Sequence, residues 1–138
     1  MDEIVIYSDG GSRGNPGPAA SAFVVTKNDQ VIFSQSRYLG ETTNNVAEYT
    51  TVLMIVEWLA KNMSDSVLVN LDSQLVERQL NGQYKVKDQK LKDIFLKIKD
   101  VILKNKINIK FIWNYRETNH LADELVNKEL DANSSTGK

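Results

Sequence analysis

Tyr7-Ser8-Asp9-Gly10-Gly11-Ser12-Arg13-Gly14-Asn15-Pro16-Gly17-Pro18 follows an apolar run, Ile4 to Tyr7, that reads as a buried strand. An acid closes that strand, and residues 10–18 then hold four glycines and two prolines. Asp-Gly is a strong hairpin signal, yet a two-residue turn does not need nine turn-forming residues. Glycine also lets a backbone come close to a ligand, because no Cβ stands in the way. The stretch is therefore either a turn or a cradle, and the rest of the chain has to decide.

Outward from it, residues 3–9 form the first strand, 19–26 a second and 31–38 a third, with Lys27-Asn28-Asp29-Gln30 as the turn between the last two. Three strands joined by short turns make an antiparallel meander. The period then changes. Tyr49, Leu53, Val56 and Ala60 recur at helical spacing, so a helix is expected from Val46 to about Asn62. Asn44 or Asn45 supplies its start, with Glu48 placed as in a capping box. Met63-Ser64-Asp65 reads as a turn, and residues 66–71 as a short buried fourth strand ending at Asp72-Ser73, a helix N-cap signature. A short helix to Leu80 stops at Asn81-Gly82, and a second helix covers residues 88–104. Ile107, Ile109, Phe111 and Trp113 alternate as the fifth strand, and Asn119 opens a last helix to about Leu130. Trp58 and Trp113 both fall at inward spacing and read as core. The order βββαβααβα gives an α/β fold with a mixed five-stranded sheet: a three-stranded antiparallel meander plus two parallel strands, flanked by helices. Residues 1–131 are expected to form one domain and 132–138 a disordered polar tail.

Composition narrows the function classes. There are no cysteines and one histidine, His120. A disulfide scaffold, a thiolate metal site and a histidine-rich metal site are thereby excluded or disfavoured. No apolar run approaches a membrane span. The acidic start Met1-Asp2-Glu3 is unlike a signal peptide and the lack of cysteine fits a reducing cytosol, so a cytoplasmic protein is expected; with no coiled coil or added binding domain, a monomer is the default expectation. The net charge of -1 hides an asymmetry: residues 78–110 carry ten basic side chains against three acidic, and the remainder is acidic. A basic block beside an acidic remainder suits either a polyanion partner or a solvated lysine-rich helix.

Four acids stand at element ends. Asp9 closes the first strand, Glu48 lies in the first turn of the first helix, Asp72 closes the fourth strand, and Asp123 lies in the first turn of the last helix. Each has an ordinary explanation as a turn, cap or dipole partner. Together they make an oxygen-only set, which suits Mg²⁺ or Mn²⁺ rather than Zn²⁺. Two such ions roughly 3.5–4 Å apart can hold both oxygens of an in-line phosphoryl displacement.

Four motifs, Tyr7-Ser8-Asp9-Gly10-Gly11-Ser12 with Asn15-Pro16-Gly17, Thr43-Asn44-Asn45-Val46-Ala47-Glu48-Tyr49, Asp72-Ser73-Gln74-Leu75-Val76 and Arg116 to Asn127, occur in one order. This arrangement resembles type 1 ribonuclease H. The resemblance implies an endonuclease that cuts the RNA strand of RNA–DNA hybrids, leaving 3′-hydroxyl and 5′-phosphate ends. It implies Asp9 bridging two Mg²⁺ ions (Mn²⁺ as a substitute), Glu48 and Asp72 on one ion, and Asp123 on the other. Gly10, Gly11, Ser12, Asn15, Asn44, Asn45 and Gln74 match substrate-binding positions, and amides there can reach 2′-hydroxyls. Many members carry a histidine several residues before the last aspartate, whereas His120 precedes Asp123 by three; Glu117 or Glu124 are alternative accessory groups. The tryptophan-containing basic protrusion is missing, as in compact members, which leaves Lys85, Lys87, Lys90 and Lys92 as candidate DNA-backbone contacts. Other nucleases and strand-transfer enzymes share the scaffold, and a hybrid-binding module without catalysis is the remaining alternative.

Overall fold

The computed structural model describes residues 3–62 and 66–133, so the expected turn at 63–65 and the tail residues 134–138 lie outside the described residues. The elements are β1 (Ile4–Ser12), β2 (Gly17–Lys27), β3 (Gln30–Thr42), α1 (Asn44–Lys61), β4 (Val67–Leu71), α2 (Gln74–Leu80), α3 (Gln89–Asn105) and β5 (Ile109–Trp113), then a 3₁₀ turn at Arg116–Asn119 and α4 (His120–Ala132). The sheet order is β3-β2-β1-β4-β5. β1, β2 and β3 pair antiparallel, while β4 lies parallel to β1 and β5 parallel to β4. Both the order of elements and the mixed five-stranded sheet match the expectation from sequence.

Three local expectations change. β1 does not end at Asp9 but continues through Ser12, each residue paired with β2 from Asp9↔Ala22 to Ser12↔Ala19. Only residues 13–16 separate the two strands, so most of the glycine-rich stretch is sheet. The N-cap of α1 is Thr43, whose hydroxyl accepts from the Val46 amide (3.2 Å), and not Asn45. That moves Glu48 into the second turn of the helix. Trp113 is not core: it is 41% exposed, because the strand outruns the helices that cover Phe111. Trp58 does join the core margin, stacked on Phe33 at 5.1 Å between ring centroids.

The main core lies on one sheet face. Ile4, Ile6, Phe23, Val25, Val67 and Val69 meet Val52, Ile55, Val56 and Leu59 of α1, and α3 adds Leu91 and Ile98. On the other face Val126 and Leu130 of α4 pack on Ala20 and Ala22 of β2. β2 is therefore covered from both sides and is buried along nearly its whole length. The alanines on β2 are the reason α4 can lie close: large side chains there would hold the helix off the sheet.

The point where α1 meets β1 is tighter still. A Cβ on Gly10 would stand 2.5 Å from the backbone carbonyl of Ala47 and 2.6 Å from the Glu48 nitrogen. Ser21, paired with Gly10 across the sheet, donates its hydroxyl to Ala47 O at 2.6 Å. Thr51 Oγ1 lies 2.9 Å from both Asp9 O and Ala47 O. Gly17 is needed for a second close approach, since a Cβ there would fall 2.2 Å from Arg13 O.

Gly10→Ala should therefore destabilise the fold by about 1–3 kcal/mol or more, the range of overpacking. Gly11→Ala should be far milder, as its nearest atom is Asn44 Oδ1 at 3.9 Å. Thermal unfolding of the two variants side by side checks this.

Candidate active site

The four acids reach one place from four elements. Asp9 comes from β1, Glu48 from α1, Asp72 from the residue after β4, and Asp123 from the first turn of α4. All four line one cleft of about 510 Å³, together with Gly10, Gly11, Ser12, Asn44 and Asn45. The parallel pairing of β1 with β4 is what sets Asp9 beside Asp72, at the carboxyl ends of strands where open α/β sheets bind ligands. Asp9, Glu48 and Asp72 also share a recess of only about 10 Å³ with Thr51 and Ser73. That is room for one atom-sized guest. Asp9 is 6% exposed, a burial a carboxylate tolerates only with partners.

Next to Glu48, Tyr49 is fully buried and donates to Gln79 Oε1. Burial pushes its phenol well above the usual range and the negative charge of Glu48 adds to the effect. Tyr49 therefore stays a neutral donor and pins α1 to α2 beneath the cleft.

Asparagines brace the rim. Asn44 Oδ1 accepts from the Ser12 amide (2.7 Å) and hydroxyl (3.0 Å), and Asn15 Oδ1 accepts from the Asn44 amide (3.0 Å). Each acceptor is thus engaged within the rim, while the Nδ2 groups can only donate, which suits hydroxyl and phosphate oxygens.

Two residues that the sequence did not mark belong here. Arg13 and Asn127 line the cleft. Arg13 Nη2 contacts Asp131 Oδ1 at 2.8 Å and donates to Asn127 Oδ1 at 3.4 Å. Asn127 Nδ2 in turn donates to Asp123 O (3.1 Å) and Oδ2 (3.5 Å). Asp123, Asn127 and Asp131 stand four residues apart on one helix face, the one signal that could have revealed the stripe.

Other expected site residues lie elsewhere. Gln74, Lys85 and Lys87 are exposed and do not line the cleft. Lys90 and Lys92 are likewise exposed on the first turn of α3. His120 opens α4 without lining the cleft, and Glu124 borders a separate groove with Val31 and Leu121. The Glu117 side chain is outside the described residues. Asn119 precedes α4 but its side chain makes no cap bond.

The donor set fits a hard divalent cation. The cleft offers carboxylate and amide oxygens, the sequence has no cysteine, and His120 is not among the lining residues. Among the described residues no three His, Cys, Asp or Glu side chains stand close enough together to hold a metal ion as they are placed. The four acids line an open cleft, and hydrated Mg²⁺ is commonly bound through one or two carboxylates with waters completing its shell. Among the described residues no helix is long and apolar enough to cross a membrane.

Comparison with known proteins agrees with this geometry. A family profile described as "Reverse transcriptase-like" matches residues 7–129. A bifunctional protein of Mycobacterium tuberculosis is 36% identical over 132 residues, covering 94% of this chain and 36% of the relative. The chain therefore spans about a third of the length of that mycobacterial relative. The ribonuclease HI of Halobacterium salinarum is 36% identical over 126 residues, covering 91% of this chain and 63% of the relative. Among solved structures, a ribonuclease H1 in complex with an RNA/DNA hybrid superposes with a TM-score of 0.89 at 42% identity, covering 94% of this chain and 97% of that one.

The Asn44 brace generates a local prediction. Asn44→Ala should speed hydrogen exchange at the Ser12 amide while leaving amides in the centre of β2 protected. Unchanged exchange at Ser12 would mean the brace does not hold the rim in solution.

Proposed function

Because the chain belongs to the type 1 ribonuclease H family, we propose that it is a metal-dependent endonuclease that hydrolyses the RNA strand of RNA–DNA hybrids, leaving 3′-hydroxyl and 5′-phosphate ends. The observation that carries this reading is the convergence of four carboxylates from four elements on one cleft rimmed by asparagines. The hybrid bound by the ribonuclease H1 relative supports the substrate class.

Asp9, Glu48, Asp72 and Asp123 are the ligands we assign to two divalent cations. Asp9 would be shared between the two cations, Glu48 and Asp72 would hold one and Asp123 the other; Mg²⁺ is the expected metal, with Mn²⁺ able to substitute. Bound cations supply neutralisation of phosphate charge and an acidified water. The chain's own residues do the rest. Gly10 lets α1 close onto β1, and Gly11, with open space where a side chain would stand, leaves room for a sugar–phosphate backbone to approach. Asn44 and Asn45 offer amide donors at the rim, suited to the 2′-hydroxyls that distinguish RNA from DNA; Asn15 supports Asn44, and Gln74 extends the same donor chemistry beyond the cleft. Lys85 and Lys87, with Lys90 and Lys92 behind them, contact phosphates of the DNA strand in place of a basic protrusion. His120, outside the cleft, has no role in this reading.

A labelled hybrid beside matched RNA–RNA and DNA–DNA duplexes, with Mg²⁺ and with EDTA, tests the class. Only the RNA strand of the hybrid should be cut, and only with metal. Cleavage of DNA would place the chain with the other nucleases on this scaffold. Asp9→Asn should abolish detectable cleavage with an unchanged unfolding midpoint, and near-normal cleavage would contradict the site. The double variant Lys85→Ala/Lys87→Ala should weaken hybrid binding and lower the slope of log K against log salt by about 2, one for each phosphate that a lysine no longer neutralises. An unchanged slope would remove these lysines from the interface.

A further inference from the structure

The parallel strands β1, β4 and β5 lie side by side: Asp9 of β1 stands level with Asp72, the residue after β4, and Trp113 closes β5 one position back, in register with Leu71. The first two belong to the cleft. The third is an aromatic ring, 41% exposed, in contact with another ring, Tyr115, which is 68% exposed. Their centroids are 5.5 Å apart and the planes are inclined at 58°. The pair is held firmly. Trp113 is in register with Leu71, the residue before Asp72, and the Asn114 amide donates to Leu71 O at 2.9 Å. Asn114 Nδ2 reaches Asn70 Oδ1 (3.3 Å), and Asn114 Oδ1 accepts from the Tyr115 amide (2.9 Å). Neighbouring strands are about 4.8 Å apart, so the rings begin within one or two strand spacings of Asp72.

Core packing does not explain the pair, since the core on this strand ends at Phe111, 7% exposed. Two adjoining aromatic rings left in water form a surface that a flat π-system covers well. The flank is cationic. Asn81, which caps the C-terminus of α2, donates to Phe111 O (3.0 Å), which ties to β5 the helix on which the basic block begins with Arg78. Arg78 itself donates to Tyr84 Oη at 2.8 Å, with its guanidinium 5.5 Å from the ring centroid.

Resting on the hybrid-cleaving reading above, we propose that Trp113 and Tyr115 form a stacking platform for an unpaired nucleobase of the RNA strand where it leaves the hybrid. Inside a paired stretch each base face is already covered by its neighbours, so a ring platform is matched by bases that have left the duplex. The strand that passes the carboxylates is the one cut, and β5, the edge strand that carries the rings, lies directly beside β4, which Asp72 follows. The platform therefore favours hybrids that carry an RNA extension over blunt ones.

The test uses the full chain with Trp58→Phe, which leaves Trp113 as the single tryptophan reporter. In EDTA, where no cleavage occurs, a short single-stranded oligoribonucleotide should quench Trp113 fluorescence saturably. Adding Tyr115→Ala should weaken that binding by about 5- to 100-fold, the value of one base–aromatic stack. With Mg²⁺, the parent should show a lower KM for a hybrid with an RNA extension than for a blunt hybrid, and Tyr115→Ala should erase the difference while keeping kcat on the blunt substrate. Absence of quenching, or a Tyr115→Ala variant that keeps both affinity and preference, overturns the platform even if hybrids are cut. Failure to cut any hybrid, with quenching intact, would instead overturn the hydrolase reading and leave an RNA-binding surface.

Discussion

Everything at the cleft depends on one backbone contact: β1 and α1 touch where Gly10 meets Ala47. No side chain separates them, and the Glu48 nitrogen follows immediately. The contact is locked by two hydroxyls. Ser21 reaches Ala47 O from the neighbouring strand, and Thr51 lies between Asp9 O and Ala47 O. The result is that Asp9 and Glu48, 39 positions apart in the chain, are fixed relative to each other through backbone rather than through flexible side chains. Parallel pairing with β4 adds Asp72 by the same means. Preorganisation of this kind matters for carboxylates, because like charges brought together repel and spread apart unless the frame holds them.

Asp123 is held differently. It rides on α4, which rests on the alanines of β2 and is tied to the loop after β1 through Arg13, Asn127 and Asp131. The cation of Arg13 thus sits at the edge of an acidic cleft, bound to an acid that is not one of the four. Three acids are positioned by the sheet and its first helix, and the fourth by a side-chain relay of exposed groups. Exposed ion pairs contribute little stability, so the relay sets direction more than strength.

Much of this was legible in the sequence because the relevant acids stand at boundaries that local chemistry marks. Asp9 and Asp72 close apolar runs, and Asp123 follows a helix start. The order of elements followed from the change of period after Tyr38. What was not legible depended on distant partners. The glycine-rich stretch reads as turn by composition, yet pairing with β2 keeps it extended to Ser12. Thr43 rather than Asn45 caps α1, since either residue type can cap and only the entry angle of the chain chooses. Trp113 alternates correctly with Phe111, but alternation does not report where the covering helices stop. Arg13 drew no attention because its partners lie more than a hundred residues away.

The central claim is that these four acids form one site for two divalent cations on a frame set by the Gly10 contact. Titration with Mn²⁺, followed by paramagnetic broadening of backbone amide signals, tests it most directly. The amides at Asp9, Glu48, Asp72 and Asp123 should lose intensity together at low Mn²⁺, while those at Lys85 and Leu103 persist. Broadening centred on any other acidic segment, or at one of the four without the rest, would contradict the account.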